Sequence, residues 1–197
     1  MSQKRRPFHR KLGQRRYRKL FIIATEGVKT EPQYFALLNN QQSIVQIECL
    51  RPRTRTSPRQ VLERMENRLK QAALRESDEA WLVIDKDHWT DDQLTHLHSW
   101  SQNKNNYGFA LSNPKFEYWI VLHFEEGSEI SNSRECSDRL RRYLPNYDKS
   151  IDPKKITQAM IFEAISRARE KDNPPCEDWP RSTGTTVYRL VERILSN

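Results

Sequence analysis

Through its first two thirds the chain alternates short apolar runs with amphipathic stretches. Leu20 to Ala24, within LFIIAT, is a continuous apolar run of strand length, and Glu26 and Gly27 stand almost directly at its end. The next stretch, TEPQYFALLNN, predicts a helix with Thr30 as N-cap, Glu31 and Pro32 in the first turn, and Tyr34, Leu37 and Leu38 at helical spacing. SIVQIECL reads as a second strand. A long helix follows from Ser57, with Val61, Leu62, Met65, Leu69 and Ala72 keeping a 3.6-residue period. EAWLVIDKD is a third strand, DDQLTHLHSW a short helix and YGFALS a fourth strand. NPKFEYWIVLHF is a helix opened by Pro114 and apolar on most faces, hence mostly buried. Strands alternating with helices predict an α/β fold with a mostly parallel sheet flanked by helices.

From about Glu125 the pattern changes. CSDRLRRYL, DPKKITQAMIFEAISRARE and TTVYRLVERIL are helical segments with no strand predicted between them, and KDNPPCEDWPRSTG is the longest loop. The organisation that follows is a basic N-terminal arm over 1–18, an α/β core over 19–125 and a helical C-terminal extension over 126–197 packed on that core. No internal repeat is present.

Charge adds a partner to this picture. Lys and Arg number 34 against 26 Asp and Glu, a formal charge of +8, which suits a polyanion: nucleic acid or anionic lipid. The first 20 residues contain no acid and include Arg5, Arg6, Arg10, Arg15, Arg16 and Arg18, with Phe8 and Tyr17 interleaved. Such an arm can track a phosphate backbone and stack on bases; the alternative is a solvated tail of no fixed role. Arg51, Arg53 and Arg55 alternate after the second strand, so an extended chain turns all three to one side, towards nucleic acid. No apolar run approaches the ~20 residues of a membrane span, and the three cysteines are far apart. A cytoplasmic protein with reduced thiols and no membrane association is the expectation.

The candidate chemistry lies at the strand ends. Glu26 follows the first strand, and Asp85 and Asp87 follow the third, where extended geometry puts both aspartates on one side and Lys86 on the other. If those strands are neighbours, ~4.8 Å apart, three carboxylates converge at one sheet edge. Either their pKa values rise or a cation joins them, and hard oxygen ligands suit Mg²⁺ or Mn²⁺. Glu31 has two readings: a further metal ligand, or a first-turn acid that offsets the helix macrodipole. Glu117, an acid in a largely apolar helix, is a second-metal ligand or one half of an ion pair. His88, next to Asp87, is a phosphate contact or an idle loop histidine, whereas His123 reads as a core residue, as do Trp81, Phe116 and Trp119.

ATEGVKTEPQYF, WLVIDKDHW and ALSNPKFEYWIVLHF, in this order and spacing, resemble the RloB-like family of bacterial and archaeal proteins, whose core looks like a TOPRIM domain. The resemblance covers roughly Arg15 to Arg193. It implies a TOPRIM-like, Rossmann-like fold, with the family's Glu-Gly on Glu26 and Gly27 and its Asp-x-Asp on Asp85 and Asp87. It further implies Mg²⁺-dependent phosphodiester cleavage of DNA or RNA, tRNA among the candidate substrates, in antiviral abortive infection beside an ATPase partner. In that setting Glu26, Asp85 and Asp87 are catalytic and metal-binding, and Glu31 answers to a second acid of related nucleases at a spacing one residue longer. Lys149 of PNYDK supplies positive charge to the developing phosphorane. A non-catalytic subunit that senses nucleic acid or nucleotide is the alternative. A purely basic RNA binder fits less well, because such a protein gains nothing from concentrating carboxylates where phosphate docks.

Overall fold

The computed structural model describes residues 18–41, 44–52, 57–71, 73–87 and 89–196. Strand β1 (Lys19–Thr25), helix α1 (Thr30–Gln41), β2 (Val45–Leu50), α2 (Pro58–Gln71), β3 (Glu79–Asp85), α3 (Asp91–Ser101) and β4 (Tyr107–Asn113) follow in strict alternation. After them come α4 (Glu117–Val121), α5 (Ser133–Tyr143), α6 (Gln158–Lys171), β5 (Gly184–Thr185) and α7 (Val187–Leu195). The sheet order is β2-β1-β3-β4-β5, with β1, β2, β3 and β4 parallel and β5 antiparallel to β4. The result is an α/β, Rossmann-like sheet covered by helices on both faces.

Strand alternation sorts the core into two layers. Phe21, Ile23, Trp81 and Val83 face α1 and the C-terminal helices, while Ile22, Ala24, Ala80, Leu82 and Ile84 face α2 and α3. Both faces are buried, which is why the strands read as unbroken apolar runs. Gly108 on β4 is required by close approach: a Cβ there would lie 2.4 Å from the Trp81 ring. The chain leaves β1 for β2 on one side and returns to β3 on the other, so the strand order reverses between β1 and β3. In open α/β sheets the crevice at the carboxyl ends of such a strand pair is where ligands bind.

Four sequence expectations are corrected. The last third does contain a strand: Gly184–Thr185 pairs with Ser112 and Asn113, and Thr186 exchanges bonds with Leu111, its amide donating to the Leu111 carbonyl and its hydroxyl accepting from the Leu111 amide. Two residues carry no periodicity, so only the tertiary pairing defines this strand. The helix expected from Asp152 begins at Gln158, after a 3-10 turn at Pro153–Lys155. The apolar helix expected over 113–124 is a short helix at Glu117–Val121, and Pro114 precedes it. Thr30 is the first residue of α1, and its hydroxyl is committed to Tyr147 and to the Lys149 carbonyl.

Residues of α5, α6 and α7 (Cys136, Leu140, Ile161, Ala164, Ile165, Val187, Leu190, Val191, Ile194) share one hydrophobic cluster with Phe21, Tyr34 and Trp119. The C-terminal helices and the sheet are therefore expected to unfold as one unit. Leu190→Ala, at a fully buried position, is expected to remove about 2–5 kcal/mol while fluorescence and circular dichroism still trace a single coincident denaturant transition. Two separated transitions would show the helices to be an independent unit.

Candidate functional site

At the carboxyl edge, between β1 and β3, lies a cleft of about 410 Å³ lined by Glu26, Glu31, Asp85, Asp87 and Glu117 together with Lys29, Lys115 and Lys149. Every carboxylate singled out in the sequence reaches this one cleft. Glu26 leaves the end of β1, where its amide donates to the Val83 carbonyl of β3 at 3.2 Å. Glu26 is 3 % exposed. One carboxylate oxygen accepts the Asp85 amide at 3.4 Å, and the Trp89 indole N–H lies 3.3 Å from both oxygens. The Arg64 guanidinium donates to the Thr25 carbonyl at 2.7 Å and pins the strand end.

The Glu-Gly pair has a steric explanation. Glu31, in the first turn of α1, is 4 % exposed and folds back so that the Gly27 amide donates to its Oε1 at 3.0 Å. A Cβ on residue 27 would stand 2.0 Å from Glu31 Oε2. Glycine is therefore what lets the two acids share the turn, and Glu31 faces the cleft and not only the helix axis.

Asp85 is the last residue of β3, and its Oδ1 accepts the Phe116 amide at 2.8 Å. Asp87 arrives by another route than strand alternation. It lies in a turn beyond β3 with φ of 34°, its amide donating to the Pro114 carbonyl, so a left-handed backbone directs it into the cleft. Glu117, 7 % exposed, accepts from the Tyr147 hydroxyl at 3.1 Å. Tyr147 also stands 2.8 Å from the Thr30 hydroxyl, and the Ile151 amide donates to Gln33 at 2.8 Å. The PNYDK loop is thus stitched to α1, and it holds exposed Lys149, with φ of 56°, at the cleft.

Crowding has an electrostatic signature. Burial pushes Glu31 up from 4.5 to about 7, with the Glu117 and Glu26 charges adding to the rise and backbone N–H donors opposing it. Asp85 is raised well above the usual carboxylate range by burial and then by Glu31, Glu117 and Glu26. Among the described residues no three His, Cys, Asp or Glu side chains stand in the arrangement of a metal cage; Glu26, Glu31 and Asp85 are turned to N–H donors.

Of the remaining candidates, Arg51 is exposed just beyond β2 at this same edge, and Arg18 is exposed at the opposite edge, where β1 begins. Arg5, Arg6, Arg10, Arg15, Arg16, Arg53, Arg55 and His88 lie outside the described residues. His123 is a core residue: its Nδ1 faces the Trp119 carbonyl and its Nε2 the Tyr34 hydroxyl, and burial lowers its pKa to about 4. Sequence reasoning gave no role to Lys29, Lys115, Tyr147 or Trp89, although Tyr147 belongs to the Tyr-x-Lys of PNYDK and Trp89 ends WLVIDKDHW. The lysines were findable, since Lys29 and Lys115 follow the ends of β1 and β4 closely. Tyr147 was not, because its partners lie 117 and 30 residues away.

The profile of one protein family, described as RloB-like protein, matches residues 21–194. No curated protein and no solved structure matches the chain.

A carboxyl group whose pKa is raised by folding binds its proton more tightly in the native state, so stability falls as pH rises from the unfolded value through the folded one. Metal-free protein is expected to lose stability between about pH 4.5 and 7, and Glu31→Gln to flatten that slope, as read from urea midpoints. Gly27→Ala is expected to fold, because the group it meets is the mobile end of Glu31, yet to expel that carboxylate and flatten the same slope.

Proposed function

The chain belongs to the RloB-like family, and from that premise and the geometry of the cleft we propose that it is a metal-dependent nuclease cleaving phosphodiester bonds in DNA or RNA. The observation that carries the reading is the gathering of five carboxylates and three lysines in one cleft at the strand-order reversal. A donor set of hard, partly buried carboxylate oxygens, too crowded to ionise together, fits Mg²⁺ or Mn²⁺. Glu26, Asp85 and Asp87 would hold the ion, and Glu31 and Glu117 would hold a second. Such an ion supplies Lewis-acid polarisation of the phosphodiester and a more acidic water.

The chain's own groups do the rest. Lys29, Lys115 and Lys149 line the cleft beside the acids and meet the non-bridging phosphate oxygens, where negative charge builds up during displacement. Glu26 is the general acid or base, because N–H donors from Asp85 and Trp89 hold its carboxylate in one orientation in the cleft. Asp85 stays fixed through the Phe116 amide, and Glu117 through Tyr147. A role in antiviral defence, an ATPase partner and a TOPRIM kinship are supported by the family resemblance. Among the described residues no helix is long and apolar enough to cross a membrane.

Incubation of the purified chain with plasmid, single-stranded DNA and tRNA, with Mg²⁺, Mn²⁺ or EDTA, tests the proposal. Metal-dependent cleavage of one of them is expected. Asp85→Asn and Glu26→Gln keep side-chain size and are expected to lower the rate roughly 10²–10⁴-fold while binding of the polyanion persists or tightens. Binding without cleavage in the wild type, alone and with a neighbouring ATPase, would favour the sensing subunit instead.

A further inference from the structure

Glu26 is held by a residue outside the cleft. The Trp89 indole N–H lies 3.3 Å from each of its carboxylate oxygens, bridging them. The ring itself packs against the apolar cluster between the sheet and α2 and α3, on the far face from α1 and α4, which bring Glu31 and Glu117. It therefore approaches Glu26 from behind. Its backbone is fixed at both ends: the Trp89 amide donates to the Lys86 carbonyl at 3.0 Å, and Lys86 Nζ donates back to the Trp89 carbonyl and to Asp91, both at 2.7 Å. Thr90, the next residue, caps α3. Trp89 thus joins the turn that carries Asp87 to the helix behind it.

The choice of donor has a physical consequence. A lysine or arginine at this position would neutralise Glu26 and compete with a cation for it. An indole N–H orients the carboxylate without adding charge and cannot act as an acceptor, so the negative charge of the cleft is preserved while one rotational freedom is removed. Neutral outer partners of this kind typically set the orientation of metal-ligating side chains.

Resting on the nuclease reading, we propose that Trp89 is a positioning residue that sets the Glu26 carboxylate for a divalent cation. Mn²⁺ affinity, read from the free-ion electron paramagnetic resonance signal on the full chain, is expected to fall roughly 10–100-fold in Trp89→Phe with circular dichroism unchanged. Cleavage by Trp89→Phe should recover at saturating Mn²⁺, which Glu26→Gln should not. A second measurement needs no variant at position 89. Of the five ¹⁹F resonances of wild-type protein labelled with 5-fluorotryptophan, one should shift on Mg²⁺ addition while that of buried Trp119, assigned with Trp119→Phe, stays fixed. Unchanged Mn²⁺ affinity in folded Trp89→Phe, or five unmoved resonances in a metal-binding wild type, overturns the role of Trp89 alone. A wild type that binds no Mn²⁺ overturns it together with the nuclease reading, whereas metal binding without cleavage sinks only the latter.

Discussion

Bringing Glu26, Glu31 and Glu117 out of water, with half-buried Asp85 beside them, carries two penalties, desolvation of the charges and repulsion between them. Neither is removed by moving the groups apart, because each is anchored by its element: Glu26 by the end of β1, Asp85 by the end of β3, Glu31 and Glu117 by the first turns of α1 and α4. The arrangement persists because the hydrophobic layers on both sheet faces over-determine those elements. N–H donors from Gly27, Phe116 and Trp89 offset part of those penalties.

Much of the molecule can be understood as support for that edge. The parallel pairing of β1 with β3 brings two strand ends together where the strand order reverses. The Gly27 backbone leaves room for Glu31, and a left-handed turn delivers Asp87. The C-terminal helices contribute more than cover. Between α5 and α6 the chain returns to the cleft, places Tyr147 between Thr30 and Glu117, and sets Lys149 at the rim. A boundary drawn at residue 125 would cut through the site.

The three lysines and the acids bring both signs of charge to one cleft. A cleft of this type attracts a cation to its carboxylates and a phosphate to its ammonium groups, and it gains most when both arrive together. This distinguishes it from the arm before Lys19, whose charge is of one sign and whose root lies at the other end of β1.

The sequence by itself determined the alternation of strands and helices, because burial on both sheet faces leaves uninterrupted apolar runs and packing on one face leaves a 3.6-residue period. It also put Glu26 and Asp85 at the sheet's carboxyl edge, because an acid directly after a buried strand stands where the sheet ends; that the two strands are neighbours is a fact of the tertiary pairing. Tertiary structure alone decided the rest. β5 is two residues that become a strand only through β4, and Asp87 owes its direction to a turn and not to alternation. Tyr147 and Trp89 find their carboxylates across 30 and 63 residues. Contacts between groups that far apart in the chain are set by how the two layers pack on the sheet, and no local pattern of apolar and polar positions encodes that packing.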